Sequence, residues 1–362
     1  MAFVLPKYYG PDFTEARFEA APNVRTIKVT QEGVAPECYH AMSIYPEYFK
    51  IEGNWILPNE SRMDCVAVVR SNVLVEILEF RNLRVGDQVV IGRTEDGSEG
   101  IYMYNTGFIS KESNKDVFAF RSGRSRETAY SKDYDDLYDL LTYEKEHDGH
   151  VVWVLGPAVS FDKDARNAVA SLIDKGYVQA LLAGNALATH DLEGAYLSTA
   201  LGQDIYTQES MENGHYNHLD LLNKVRGYGS IASFIEGEGI DNGIIHACVK
   251  KDVPFVLSSS IRDDGPLPEV IHSAYRSQDA MRQHTRKATT LICLATQLHT
   301  IAAGNMTPSY TIKDELVRNV FIYSVDISEF VVNKLRDRGT LEVKTLVTNV
   351  QDFVVHIDQN LK

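Results

Sequence analysis

The chain reads as an α/β protein, a doubly wound parallel sheet preceded by a β-rich N-terminal domain. Three observations predict this. From residue 151 onward, short apolar runs alternate with helical patterns, the grammar of strand–helix–strand units. The runs VVWVLGP, VQALLAGNA, VPFVLSSS and TTLICLAT show no polar alternation, as strands covered on both faces require. Before residue 125 helical periodicity nearly vanishes, and short β-branched runs lie between turn residues.

In chain order, residues 1–125 form the β-rich domain, with strands expected in NVRTIKVT, DCVAVVR, NVLVEILEF, DQVVIG and DVFAF. Turns fall at Glu52-Gly53-Asn54, Arg84-Val85-Gly86-Asp87 and Asp96-Gly97. Residues 126–149 form a linker helix, because YDDLYDLLTYEKEH places Leu137, Leu140 and Leu141 at helical spacing and Gly149 closes it. Residues 150–362 form the parallel-sheet domain. Its further strands are NVFIYSVD and VKTLVTN, and its helices include DARNAVASLIDKG, SEFVVNKLRDRG and VQDFVVHIDQNL. After VPFVLSSS, the pattern EVIHSAYRSQDAMRQH predicts a helix opened by Pro268 and Glu269.

Composition narrows the function. A formal net charge of −14 argues against nucleic acid or an anionic membrane as partner, and RSGRSRE at 121–127 is too short a basic run to reverse that. No stretch approaches the roughly 18 apolar residues of a membrane helix, and no signal-peptide pattern opens the chain. Four scattered cysteines without a C-x-x-C pair exclude a zinc ribbon and fit reduced thiols, so a cytoplasmic protein is expected.

The candidate chemistry sits at strand ends, where open α/β sheets bind ligands. Gly156-Pro157, Ala183-Gly184-Asn185, Ser258-Ser259-Ser260, Thr296, Asp326 and Thr348-Asn349 are small or polar. Six such ends suggest a nucleotide-sized ligand, with Asp326 suited to a ribose. Gly304 and Asn305, with His299, lie beyond the TTLICLAT strand and are further candidates. No dinucleotide fingerprint is present; Gly237, Gly239 and Gly243 have the wrong spacing and join two helical patterns. Arg262, Asp263 and Asp264 supply a cation and two carboxylates at one strand end. His215 and His218, near His190-Asp191, could share a metal but lack a third ligand, so a polar pocket wall is the preferred reading. Glu60, Arg62 and Asp64 precede a strand of the first domain and read as a structural ion pair, of little energetic weight at a surface and of more if that domain folds over the crevice.

Several long segments resemble one family. LLAGNALATHDLE, NGHYNHLDLLNKVRGYGSI, VPFVLSSSIRDDGPLPE, ATQLHTIAAGN and VDIS…KLRDRG…TNV, together with GNWILPNESRMDCVAVV, are similar to the archaeal-type ornithine cyclodeaminases. That family is also called the conserved region of lysine-oxoglutarate reductase/saccharopine dehydrogenase, and forms the C-terminal portion of cyanobacterial bifunctional arginine dihydrolases. The resemblance spans about residues 35–356. It implies a Rossmann-like, deoxyhypusine-synthase-like domain binding NAD, in a stand-alone homo-oligomeric enzyme, a dimer or tetramer. It implies conversion of L-ornithine to L-proline and ammonia: oxidation at the α-carbon, attack by the δ-amine, loss of ammonia, and reduction of the cyclic imine. Asp263 and Asp264 then become the catalytic carboxylates; Arg262, Arg62, Asp64, His190 and His218 contact substrate. Gly156, Pro157, Ala183, Gly184, Asn185, Ser260, Gly304, Asn305, Asp326 and Asn349 hold the cofactor. A lysine cyclodeaminase, an amino-acid dehydrogenase and a non-catalytic ligand sensor are the alternatives. The stretch SFDKD after GPAV, and TNV where TDV is commoner, depart from the family pattern.

Overall fold

A computed structural model describes residues 3–71, 74–108, 131–263, 265–328 and 342–362. Asp264, the basic run at 121–127, the expected strand DVFAF and nearly all of SEFVVNKLRDRG lie outside the described residues.

After a short helix α1 (Ala16–Glu19) come β1 (Arg25–Lys28), β2 (Glu47–Ile51), β3 (Asn54–Ile56), β4 (Cys65–Val69), β5 (Val75–Glu79), β6 (Gln88–Ile91) and β7 (Ile101–Met103). They form two antiparallel sheets, β1-β6-β4-β5 and β3-β2-β7. Alternate residues Cys65, Ala67, Ile77 and Val90 of the first sheet pack on Phe49 and Ile101 of the second. Strand β2 escaped the sequence pattern because Glu47 and Lys50 interrupt its apolar residues. Both are buried and satisfied: Glu47 lies 2.5 Å from His40 Nε2 and accepts the Ser43 N–H. The Lys50 ammonium donates to the carbonyls of Phe18, Glu19 and Ala21 at 2.8 Å each, which pins α1 to the sheet.

Helix α2 (Ser131–Glu146) leads into β8 (Val151–Leu155), α3 (Lys163–Asp174), β9 (Ala180–Gly184), α4 (Asn185–Leu197), the two-residue strands β10 (Thr199–Ala200) and β11 (Gln203–Asp204), then α5 (Asn217–Tyr228), α6 (Ile231–Glu238) and α7 (Ile244–Lys250). Next are β12 (Phe255–Ser258), α8 (Ala274–Thr285), β13 (Thr290–Leu294), α9 (Gln297–Met306), β14 (Tyr310–Lys313), β15 (Leu316–Asn319), β16 (Phe321–Asp326), β17 (Glu342–Val347) and α10 (Val350–Asn360). The six long strands form one parallel sheet in the order β12-β9-β8-β13-β16-β17. Trp153, Leu155, Leu181, Ile292 and Tyr323 face α2, α3, α4 and α10; Val152, Val154, Leu182, Leu291 and Cys293 face α8 and α9. With both faces covered, the inner strands β9, β8 and β13 need no polar alternation, and none is present in them; the edge strand β17, half-buried, carries Glu342 and Lys344.

Two expectations change. Helix α8 begins at Ala274, with Ser273 as its cap, and not at Pro268. Residues before it run extended, because Ile271 bonds Leu257 and Ser259 alongside β12, while Glu269 accepts the Ile231 N–H and so caps α6. The hairpin β14–β15 was hidden because Asp314 and Glu315 take positive φ, at 49° and 63°, in a turn usually marked by Gly or Asn. This hairpin belongs to the second half of the chain but bonds the first: Ser309 N–H donates to Ser61 O, and Tyr310 Oη to Pro58 O.

At the opposite edge of the sheet from the strand ends, His150 stacks on His284, ring centroids 6.0 Å apart. Burial first, then His284 and Lys287, pushes the His150 pKa down to about 4; burial and Lys287 also lower His284. A depressed base favours its neutral form in the fold, so this stability is complete above pH 6.5 and lost as pH falls toward 4. His150→Phe is expected to flatten the loss of melting temperature between pH 7 and pH 4.5 by a few degrees, about 1–2 kcal/mol once partial exposure is discounted. Parallel melting curves of variant and wild type would refute the assignment.

Candidate active site

All six parallel strands present their carboxyl ends on one edge. The chain leaves β8 toward β9 and leaves β13 toward β16, so the strand order reverses between β8 and β13. Such a reversal opens a crevice. Here Gly156 follows β8 and Ala295-Thr296 follow β13. A Cβ on Gly156 would lie 1.9 Å from Ala295 O, so only glycine lets the two strand ends close on each other. One strand further, Gly184 lies under His299, whose Cε1 would be 3.0 Å from a Cβ there. Burial lowers the His299 pKa, leaving a neutral imidazole over the strand end at pH 7. Beyond the crevice, Asp326 Oδ1 accepts the Ser328 N–H at 2.9 Å, and no described residue bonds its Oδ2.

Several candidates turn out to organise the edge. Asn185 Oδ1 accepts the Leu267 N–H at 3.1 Å and so ties the loop after β12 to the start of α4. Asn349 caps α10 through the N–H groups of Gln351 and Asp352. Asp263 accepts the Ser260 N–H at 2.6 Å, while Ser260 Oγ accepts from Arg262 N–H. This self-bonded loop leaves the Arg262 side chain exposed. Pro157 opens a single 3-10 turn after β8. Ala183 is buried within β9. His190 and His218 do meet, with ring centroids 6.3 Å apart, but His190 Nδ1 is held by Glu193 at 2.9 Å. Asp191 is structural: it pairs with buried Arg166 at 3.0 Å and accepts the N–H groups of Ile244 and Ile245 at the start of α7. Among the described residues no group of three or more His, Cys, Asp or Glu is disposed to hold a metal ion.

Gly304 and Asn305 lie elsewhere than the strand ends. Helix α9 starts at Gln297, so Asn305 is more than two turns, about 12 Å, down its length. There Asn305 lines a second feature, a cleft of about 880 Å³ between the β-rich domain and helices α8 and α9. Arg62, Asp64, Glu79, Arg81 and Arg282 supply its charged lining. The cleft begins at Leu298, the neighbour of His299, and so adjoins the strand-end edge.

The expected ion pair at Glu60 and Arg62 is buried and part of a longer chain of charges. Arg286 lies 2.6 Å from Glu60, Glu60 3.1 Å from Arg62, and Arg62 meets Glu79. Glu79 lies 2.7 Å from Arg282, Arg282 3.6 Å from Asp279, and Asp279 2.5 Å from Arg81. The first domain contributes two E-x-R pairs, α8 contributes Asp279 and Arg282, and its C-cap Arg286 completes the series, so the chain stitches the domains together. Burial pushes the Glu79 pKa up, but Arg62 and Arg282 outweigh it and hold the carboxyl at about 2. Arg62 donates from all three nitrogens, to Glu60, Glu79 and Ile77 O, and so serves as a strut between these elements. Asp64 is exposed on the cleft and accepts no hydrogen bond from the described residues. Sequence reading missed Glu79, Arg81 and Arg282, because charges spaced along an amphipathic helix or a strand end look like solvated surface.

A doubly wound sheet with a crevice at its order reversal, flanked by a cleft carrying both signs of charge, defines a Rossmann-fold protein. Residues 137–357 match the model of the family described as "Arginine dihydrolase ArgZ-like, C-terminal, Rossmann fold", and the chain belongs to that family. It is 34% identical over 338 residues to an ornithine cyclodeaminase of Methanocaldococcus jannaschii, covering 91% of this chain and 75% of the relative. It is 35% identical over 337 residues to the bifunctional arginine dihydrolase/ornithine cyclodeaminase AgrE of Nostoc, covering 92% of this chain but 46% of AgrE. The chain thus spans about half the length of that bifunctional relative. Among solved structures, a conserved LOR/SDH protein of Methanococcus maripaludis aligns with TM-score 0.84 at 31% identity, covering 94% of this chain and 98% of the other. The ternary complex of AgrE with ornithine and NAD+ aligns with TM-score 0.60 at 32% identity, covering 94% of this chain and 46% of AgrE. No helix among the described residues is long and apolar enough to cross a membrane.

Proposed function

We propose that this protein is an NAD-dependent ornithine cyclodeaminase, an ammonia-lyase that converts L-ornithine to L-proline. The observation that carries the reading is the contact of two sites, a strand-end crevice at the order reversal and a charged interdomain cleft that adjoins it at Leu298. Relatives named for this reaction, one of them crystallised with ornithine and NAD+, support it.

The strand ends fit a dinucleotide. Gly156 and Gly184 keep the edge free of side chains, and Asp326 Oδ2, to which no described residue bonds, suits a ribose hydroxyl. Bound NAD supplies reversible hydride removal and return at the substrate α-carbon. The protein supplies position and proton transfer. In this reading the amino acid occupies the cleft, and Asp64 takes the proton of its α-ammonium. Asp263, with Arg262 beside it on the β12 loop, lies at the strand-end side, where a second carboxylate would hold the cationic side-chain amine. His299, packed over Gly184, would keep water from the strand end. Lysine, one methylene longer, would be rejected by only about 1–3 kcal/mol, so the preference for ornithine rests on cleft length.

The test is turnover with L-ornithine in large excess over NAD+. Proline and ammonia in equal amounts, many turnovers per NAD and no accumulation of NADH are the expected result. NADH rising in step with substrate loss would replace the reading by a dehydrogenase. NAD binding without turnover of ornithine or lysine would replace it by a ligand sensor.

A further inference from the structure

Among the described residues, the chain of alternating charges between the domains is one carboxylate short. It has four guanidiniums (Arg62, Arg81, Arg282, Arg286) and three carboxylates (Glu60, Glu79, Asp279). The deficit falls on one residue. Arg62 bonds Glu60, Glu79 and Ile77 O through all three of its nitrogens, and Arg81 forks onto both oxygens of Asp279 while lying 4.9 Å over the Tyr275 ring. Arg282 shares Glu79 with Arg62 and Asp279 with Arg81. Its Nε and Nη1 are buried and make no hydrogen bond despite that proximity. An under-satisfied buried guanidinium beside two other cations calls for an anion.

We propose that Arg282 binds the α-carboxylate of the amino-acid substrate, and so determines that the cleft takes α-amino acids in preference to simple diamines. This rests on the cyclodeaminase reading above. A guanidinium recognises a carboxylate through parallel N–H donors, and α8 holds this one at the cleft wall. Met42, Ile301 and Met306 line the cleft near it with apolar surface, which suits a short aliphatic chain. Among the described residues no glycine lines the cleft, so these residues offer no close backbone approach of the kind a pyrophosphate uses. Burial, together with Arg81 and Arg62 and against Glu79, already lowers the pKa of Arg282; an added carboxylate would relieve that cost.

The experiment measures binding of L-ornithine, 1,4-diaminobutane and NAD to the full chain by calorimetry, with proline formation assayed alongside. Arg282→Gln is expected to weaken ornithine by about 10- to 100-fold and to leave diaminobutane and NAD unchanged. Arg282→Lys, which keeps the charge but not the fork, should show a smaller loss with the same selectivity, and it carries the comparison should the glutamine variant fail to fold. Arg286→Gln breaks the same chain outside the cleft and should leave ornithine affinity within about threefold. Equal losses in the Arg282 and Arg286 variants would reduce Arg282 to a strut and overturn the proposal. So would a loss confined to NAD, which would make the missing anion a phosphate, or wild-type protein that binds diaminobutane as well as ornithine. Proline formation by wild type with an unaffected Arg282→Gln variant sinks this proposal alone. Arg282-dependent ornithine binding without proline formation sinks only the reaction.

Discussion

Asp64→Asn is expected to lower turnover of L-ornithine by about 100- to 10,000-fold, the usual contribution of a positioned proton acceptor. The change removes one negative charge and little else. Asp64 has φ of 60°, a left-handed conformation that asparagine adopts as readily as aspartate. Its side chain is exposed on the cleft and caps no helix, so the melting temperature should move by no more than about 2 °C. NAD affinity should also hold, because the strand-end residues lie outside the cleft lining. A variant that keeps more than about a third of wild-type turnover would remove Asp64 from the mechanism. Asp263→Asn is the comparison. Its carboxylate already accepts the Ser260 N–H, so some loss there would reflect a loosened loop.

Gly156→Ala is expected to cost both stability and cofactor binding. The new methyl would sit 1.9 Å from Ala295 O and 2.6 Å from Ala295 C. Both are backbone atoms of a strand end held by the Ala295 N–H to Val325 O bond, so no side chain can swing aside. The ends of β8 and β13 must separate at the point where the order reverses. A destabilisation of about 3 kcal/mol, or roughly 6–12 °C in melting temperature, and at least about tenfold weaker NAD binding are expected. Gly227→Ala is the control. Nothing lies within 4 Å of a methyl at Gly227 in α5, and alanine there should be neutral or stabilising by up to about 1 kcal/mol. If Gly156→Ala melts with wild type and binds NAD normally, the crevice is not the dinucleotide site.

The sequence by itself determined the fold class. Strands covered on both faces need uninterrupted apolar residues, and helices packed on one side need a 3.6-residue stripe, so VVWVLGP and DARNAVASLIDKG announce their environments locally. The six small or polar strand ends were legible for the same reason, since a parallel sheet places every carboxyl end on one edge. Only the tertiary structure decided which charges matter. Asp279 and Arg282 on α8, with Arg286 at its C-cap, look like a solvated stripe until the β-rich domain docks on it; Glu47 and Lys50 look incompatible with a core strand until His40 and three carbonyls meet them. Asn185 and Asn349 carry the chemistry of ligand-binding residues, and the Oδ1 of each also accepts backbone N–H groups of the protein itself. Local periodicity records how much of a side chain is buried, whereas the partner that makes a buried charge tolerable comes from a face distant in the chain, and no local pattern encodes which two faces will meet.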